Sequence, residues 1–363
     1  MLNDERNVNI EVLRIVAMAL VVVQHVLAYS GVVKPFNTIG GSYIAYYAVV
    51  AFANCSINLF ALITGFCMAE KEYVMPSKFV NLWMQTVFYE LVGVVICLVI
   101  GGGILKRNIL EVLFPIGTYS YWYVTEYFLL LLIIPIINGF VKGCSKRKFQ
   151  TVLVVLIGVF SFYPTLYFPR VRFGDGHNVM WLAVVYMVGI YLKTYADLNT
   201  VSIKKLKFIG AVVFGILLLS SVIIGIATKL VFGSISHGAL LFAYNSPLML
   251  AMSVVIFVVI NRRSIPKCLH TLCQKVGRLT FGVYLWHDNG LVREALWSRL
   301  ELGKENIISI TIIKIFLVIF GIFVIGCVLE DIRKHIMVGM ERKVKKLDAK
   351  IYNIYFEKNK EIK

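Results

Sequence analysis

Negative charge is scarce in this chain of 363 residues: 20 Asp and Glu stand against 37 Lys and Arg, and charged residues of every kind reach only 16%. With 59% hydrophobic residues and a mean hydropathy of +0.80, the composition is that of an integral membrane protein. P-loops, dinucleotide fingerprints, soluble hydrolase motifs and internal repeats are missing, which sets aside the nucleotide-binding and repeat classes those patterns announce. Seven cysteines, an odd number lying mostly in apolar runs or basic loops, do not form a disulfide framework. Cys268, His270 and Cys273 cluster, but no second ligand pair accompanies them, so no metal is expected.

What is present is a succession of apolar runs, about ten in number, each long enough to cross a hydrocarbon core of roughly 30 Å. They leave no room for a separate soluble domain, and the expected fold is an all-α polytopic membrane helix bundle. The first run is a poor signal peptide, because Asp4, Glu5 and Glu11 offset Arg6 and Arg14 where a positive region is expected. It is expected to stay as helix 1. The net charge of +17 does not point to nucleic acid. With the N-terminus inside, roughly three quarters of the basic residues fall on the inner side, the positive-inside bias that puts both termini in the cytoplasm.

Helix 1, expected over residues 10–33, carries two ionisable groups that a lipid-facing helix would not tolerate, Arg14 and His25. Eleven steps of about 100° bring them to one helix face, about 16 Å apart along the axis. Arg14 by itself could snorkel to the headgroups, and a lone His could be an interhelical donor. Their shared face argues for one wall of a polar pathway. In helix 2, expected over residues 43–69, Ser56 and Thr64 read as packing groups, while Asn54 and Asn58 share a face that could meet a cavity.

Helix 3 begins near Lys78 and carries Trp83, Gln85, Tyr89 and Glu90. Its lysine is an interfacial anchor, or the place where an anionic cofactor arrives from the cytosol. Helix 4 opens on Tyr119, Tyr121, Trp122, Tyr123 and Tyr127, an aromatic belt at the outer interface that also suits a sugar ring. A belt does not explain Glu126 among them. The loop after helix 5, PRVRFGDGHN, holds Arg170, Arg172, Asp175 and His177. Helix 9, GRLTFGVYLWHDNGLVREALW, sets His287 and Asp288 near mid-bilayer, with Tyr284 one turn earlier. Helix 10 is expected over residues 307–329. Residues 331–363 then form a basic tail with apolar positions at Ile332, Ile336, Met340, Val344, Leu347, Ile351 and Tyr355, a spacing that suits an amphipathic helix on the inner leaflet.

These residues resemble a family. The arginine, ten residues, histidine arrangement of helix 1 is similar to the signature of the acyltransferase 3 family of membrane acyltransferases. ALITGF resembles its segment ending in Ser-Gly-Phe, with Thr64 in the serine place, and YWYVTEYFLLLLIIPIIN resembles its helix that opens on Trp-Tyr and closes near a proline. GDGHNVMWLAVVYMVGIYLK and LTFGVYLWHDNGLVREALW resemble two further blocks, the latter close to the wording of a subgroup linked to surface polysaccharides. Many members carry two arginines three apart near the start of helix 3, where this chain has Lys78, Trp83 and Gln85.

The resemblance implies a transmembrane acyltransferase domain over residues 1–330 in a bacterial plasma membrane. It would move an acyl group, acetyl above all, from cytoplasmic acyl-CoA to a hydroxyl of a surface polysaccharide or its lipid-linked precursor. No tightly bound cofactor or metal is implied, and the partners are acetyl-CoA, the sugar acceptor and membrane lipid, with a homo-oligomer admitted and no nucleic acid. His25 would be general base or acyl carrier, since imidazole titrates near neutrality. Arg14 would bind a CoA phosphate or steady the thioester oxygen. Lys78, Trp83 and Gln85 are the further donor-binding candidates, and Trp122, Glu126, Arg170, Tyr284, His287 and Asp288 are the acceptor-side candidates. The rival class is a transporter or flippase for a sugar or lipid-linked anion, which needs neither CoA nor a fixed Arg14 to His25 spacing. A noncatalytic scaffold would leave these ionisable groups without a purpose.

Overall fold

The computed structural model describes residues 7–33, 35–99, 109–166, 174–300, 302 and 308–352, and among them it contains helices and no strands. The first helix, α1 (Val8–Tyr29), starts where the Asn7 side chain accepts from the Asn9 N–H at 3.0 Å. It buries Leu13, Ala17, Val21 and Val22 at the centre of the bundle. There it meets α3 (Ser56–Met68), α11 (Pro247–Asn261), α12 (Lys267–Gly277), α13 (Thr280–His287) and α15 (Ile308–Tyr352).

The segment expected as one helix over residues 43–69 is two, α2 (Gly41–Ala53) and α3, with a turn at Asn54 and Cys55. The turn has a physical reason. It brings Asn54 Nδ2 to the Phe242 carbonyl at 2.9 Å and Asn58 Nδ2 to the Tyr244 carbonyl at 2.9 Å, while Asn58 Oδ1 accepts from the Trp181 indole at 2.9 Å. Both asparagines therefore tie helices to a neighbouring loop. Downstream, α3 lies against α9 (Val179–Thr194) with almost nothing between the backbones. A Cβ on Gly189 would stand 2.5 Å from the Leu62 carbonyl oxygen and 3.0 Å from Gly65 Cα, so only glycine fits that crossing.

Long helices frame this centre: α4 (Pro76–Val99), α6 (Trp122–Lys142), α7 (Lys146–Ile157) and α10 (Ile203–Phe232), with the short α5 (Ile109–Leu113), α8 (Tyr163–Leu166) and α14 (Gly290–Leu300) between. A π turn at Gly158–Phe162 joins α7 to α8. Among the described residues seven helical stretches are long and apolar enough to cross a membrane, and α9 and α11 are shorter apolar helices. The fold is an all-α polytopic bundle.

Two expectations change. Helix 9 is broken: α13 ends at His287, and the Asn289 side chain caps a new helix by accepting from Leu291 N at 3.0 Å and Val292 N at 3.3 Å. The Asp-Asn-Gly sequence supplies the short polar side chains that compete with helical bonding. Helix 10 and the tail, in contrast, are one continuous helix of 45 residues, α15, which no proline interrupts. The charges that appeared to end its apolar run are absorbed within the bundle. Arg333 grips Glu330 through two bonds of 3.0 and 2.9 Å and reaches Glu341 at 2.9 Å, and Tyr89 donates to Glu330 at 3.1 Å. Further along, Asp348 accepts from Ser77 N at 2.8 Å and so caps the start of α4, while Ile332 and Ile336 stay exposed. Tyr355 lies outside the described residues.

Candidate active site

Two helices running side by side in the same direction build the site. Along α1, Arg14 comes first and His25 about 16 Å later. Along α13, Thr280 and Phe281 come first and His287 about two turns later.

At the first level a cavity of about 660 Å³ opens between α1, α3, α4, α6 and α13, bordered by Arg14, Lys71, Lys78 and Arg278 among other residues. Four cations around one cavity in a bundle otherwise poor in charge make a place for a polyanion. Arg14 is steadied by Glu11 at 2.6 Å, and Lys78 Nζ lies 3.5 Å from the Met68 sulfur. Gln85 and Thr64 line the same cavity, whose inner wall is Phe60, Tyr123, Tyr127 and Phe281. The lining is therefore part cationic and part aromatic. Trp83 takes no part: it sits on the outer side of α4, 40% exposed, and donates to the Leu113 carbonyl at 2.9 Å.

The aromatic wall leads to the second level. Phe281 and Tyr123 each contact Tyr284, at ring-centre distances of 6.2 and 6.3 Å, and Tyr284 contacts His287 at 6.4 Å. His287 Nε2 is 2.9 Å from His25 Nδ1. The other ring nitrogen of His287, Nδ1, lies against the Val283 carbonyl. A carbonyl oxygen only accepts, so His287 carries its proton on Nδ1, and in a neutral ring Nε2 is then an acceptor. His25 must donate to it from Nδ1. That leaves the lone pair of His25 on Nε2, the nitrogen turned away from His287. The break after α13 then places Asp288 Oδ1 3.9 Å from His25 Nδ1 and 3.3 Å from Arg293 Nη1. Arg293 lies over the Tyr29 ring, 5.1 Å from its centre, and Tyr29 stacks toward His25 at 5.4 Å.

Beyond this centre lies an aromatic floor. The His177 ring is wedged between Trp122 and Tyr244, 4.7 Å from each, and burial lowers its proton affinity below the ordinary imidazole value. Tyr244 accepts a hydrogen bond from Gln24, the neighbour of His25, which ties the floor to the histidine pair. Glu126 accepts from the Tyr119 hydroxyl at 3.0 Å, and Tyr119 holds a left-handed backbone, φ 60°, to make that bond. Arg170 and Arg172 lie outside the described residues.

Of the residues singled out in the sequence, the structure joins Arg14, Lys78 and Gln85 at one level and His25, His287 and Asp288 at the other, with Tyr284 between. Sequence reasoning missed Lys71, Arg278, Tyr29, Tyr244 and Arg293. Arg293 and Arg278 were within reach, since each lies within the helix 9 stretch or at its start.

A histidine with its lone pair freed by a second histidine, deep in a helix bundle and one level away from a cationic cavity, is an arrangement suited to group transfer. A family model described as an acyltransferase domain matches residues 7–331. The chain belongs to the acyltransferase 3 family and is a multi-pass membrane acyltransferase. Neither the curated proteins nor the solved structures returned a match.

Proposed function

We propose that this acyltransferase takes an acetyl group from cytoplasmic acetyl-CoA and passes it to a hydroxyl of a surface polysaccharide, or of its lipid-linked precursor, at a bacterial plasma membrane. The observation that carries the reading is the cationic cavity bordered by Arg14, Lys71, Lys78 and Arg278, two of whose aromatic wall residues, Tyr123 and Phe281, contact Tyr284, the neighbour of the His287 and His25 pair. CoA is a polyanion with a long neutral arm ending in a thioester, and a lining of cations and aromatic rings complements both parts. The arm needs to cover about 16 Å, which a dozen bonds of about 1.5 Å can do without drawing the nucleotide into the bundle.

In the reaction the acceptor hydroxyl attacks the thioester carbonyl while His25 Nε2 takes its proton. The tetrahedral adduct then expels the CoA thiolate, which receives that proton from His25. His287 keeps His25 in the tautomer that this requires. The floor of Trp122, His177 and Tyr244 offers aromatic faces to the CH faces of a sugar, with Gln24 beside it. The positive-inside count supports cytoplasmic termini and donor access from the side of Arg14.

The test has two arms. Acetyl-CoA is supplied to one side only of sealed, oriented vesicles, and the surface polysaccharide of cells with and without the protein is compared by mass spectrometry. Turnover with donor on the cytoplasmic side, and loss of acetyl increments without the protein, are expected. Turnover only with donor on the opposite face, or an unchanged polysaccharide, would sink the reading.

A further inference from the structure

An acyl transfer puts negative charge on the carbonyl oxygen of the adduct, and a site that accelerates it needs a donor aimed at that oxygen. Arg14 cannot be that donor for a thioester attacked at His25, because the two residues stand about 16 Å apart along one helix, whereas a donor must come within about 3 Å of the oxyanion. Its guanidinium is also paired with Glu11. Of the other polar groups near His25, the Tyr284 hydroxyl is a neutral donor, weaker toward an oxyanion than a guanidinium, and three more are unsuited. His287 Nε2 accepts from His25, Gln24 is spent on Tyr244, and Asp288 is a carboxylate that would repel an oxyanion.

Resting on the acyltransferase reading above, we infer that Arg293 is the oxyanion-stabilising residue. It shares one oxygen, Asp288 Oδ1, with His25, at 3.3 Å for Arg293 Nη1 and 3.9 Å for His25 Nδ1. Asp288 Oδ1 itself fills the point between the guanidinium and the Nδ1 edge of the imidazole, and so holds Arg293 next to the base. Asp288 engages Nη1 only, and the Tyr29 hydroxyl, at 3.5 Å, approaches the same nitrogen. Among the described residues Nε and Nη2 meet no acceptor, which leaves them for substrate, and the side chain is 39% exposed, open to it. The ring of Tyr29 below and the Asp288 carboxylate to one side fix the plane of the fork before substrate arrives, the preorganisation that makes such a donor effective. During the step the electron pair of the C=O bond moves to oxygen beside Arg293 and returns as the C–S bond breaks. Arg293 gives up no proton.

The experiment compares wild type, Arg293→Gln and Arg293→Ala in proteoliposomes with acetyl-CoA and acceptor glycan, following kcat and both KM values alongside calorimetric binding of free CoA. Arg293→Gln should lose about 10²–10³-fold in kcat, as an oxyanion donor does when removed, with CoA affinity unchanged. Guanidinium ion, but not sodium at equal ionic strength, should restore part of the turnover of Arg293→Ala, which a folding role would not allow. A kcat within about threefold of wild type overturns the assignment, as does a loss confined to acceptor KM, or a loss that guanidinium does not relieve. Absence of acetyl transfer by the wild type itself would instead remove the acyltransferase reading and the assignment with it.

Discussion

Replacing His287 by alanine separates orientation from chemistry at this site. In wild type the imidazole of His287 makes one 2.9 Å bond to His25 and anchors its own Nδ1 on the Val283 carbonyl. If its only task is to hold the His25 proton on Nδ1, the loss is bounded by that one bond. A neutral interhelical hydrogen bond inside a membrane bundle is worth about 1–2 kcal/mol, equivalent to roughly a 5- to 30-fold fall in the population of the reactive tautomer. His287→Ala should therefore lower kcat by about 5- to 30-fold with little change in donor KM. His25→Ala removes the base itself and should cost about 10²–10⁴-fold. Both are measured as acetyl transfer in proteoliposomes after size-exclusion confirms folded protein. Equal losses for the two variants would refute the reasoning, because His287 would then act on substrate. An unaltered His287→Ala would refute it as well.

Three further outcomes follow from the geometry. Lys78→Ala and Arg278→Ala, which remove cations from the cavity wall, should each raise the KM for acetyl-CoA several-fold with kcat nearly intact, and unchanged donor KM in both would detach the cavity from the donor. Gly65→Ala should lower the melting temperature in detergent, by an overpacking cost of about 1–3 kcal/mol, since its Cβ would meet the Tyr186 backbone and Gly189; an unshifted melt would refute the close crossing. Asn289→Ala removes the cap of α14 together with a 2.8 Å bond to the Tyr121 hydroxyl, and should cost about 1–3 kcal/mol by the same measurement. A stability equal to wild type would mean that the break after α13 does not depend on it.

Much of this protein is legible from the order of its residues. Apolar runs of bilayer length admit only helices, since no backbone group can be left unpaired in lipid, and so the helix bundle follows from composition and period alone. The common face of Arg14 and His25 follows from helix geometry, and helix 9 identified itself by carrying His and Asp at a depth where charge is costly. What these local rules cannot supply is the choice among partners. That His287 meets His25 rather than Asp288, that Arg293 folds back over Tyr29, and that Lys71 and Arg278 join Lys78 around one cavity are decided by how four or five helices pack. The same holds for α15. Glu330 and Arg333 look like the end of a membrane span when read in sequence, because an unpaired charge ends one. They remain inside the bundle because each neutralises the other one turn apart on α15 and Tyr89 completes the set, a contact that only helices distant in sequence can bring about.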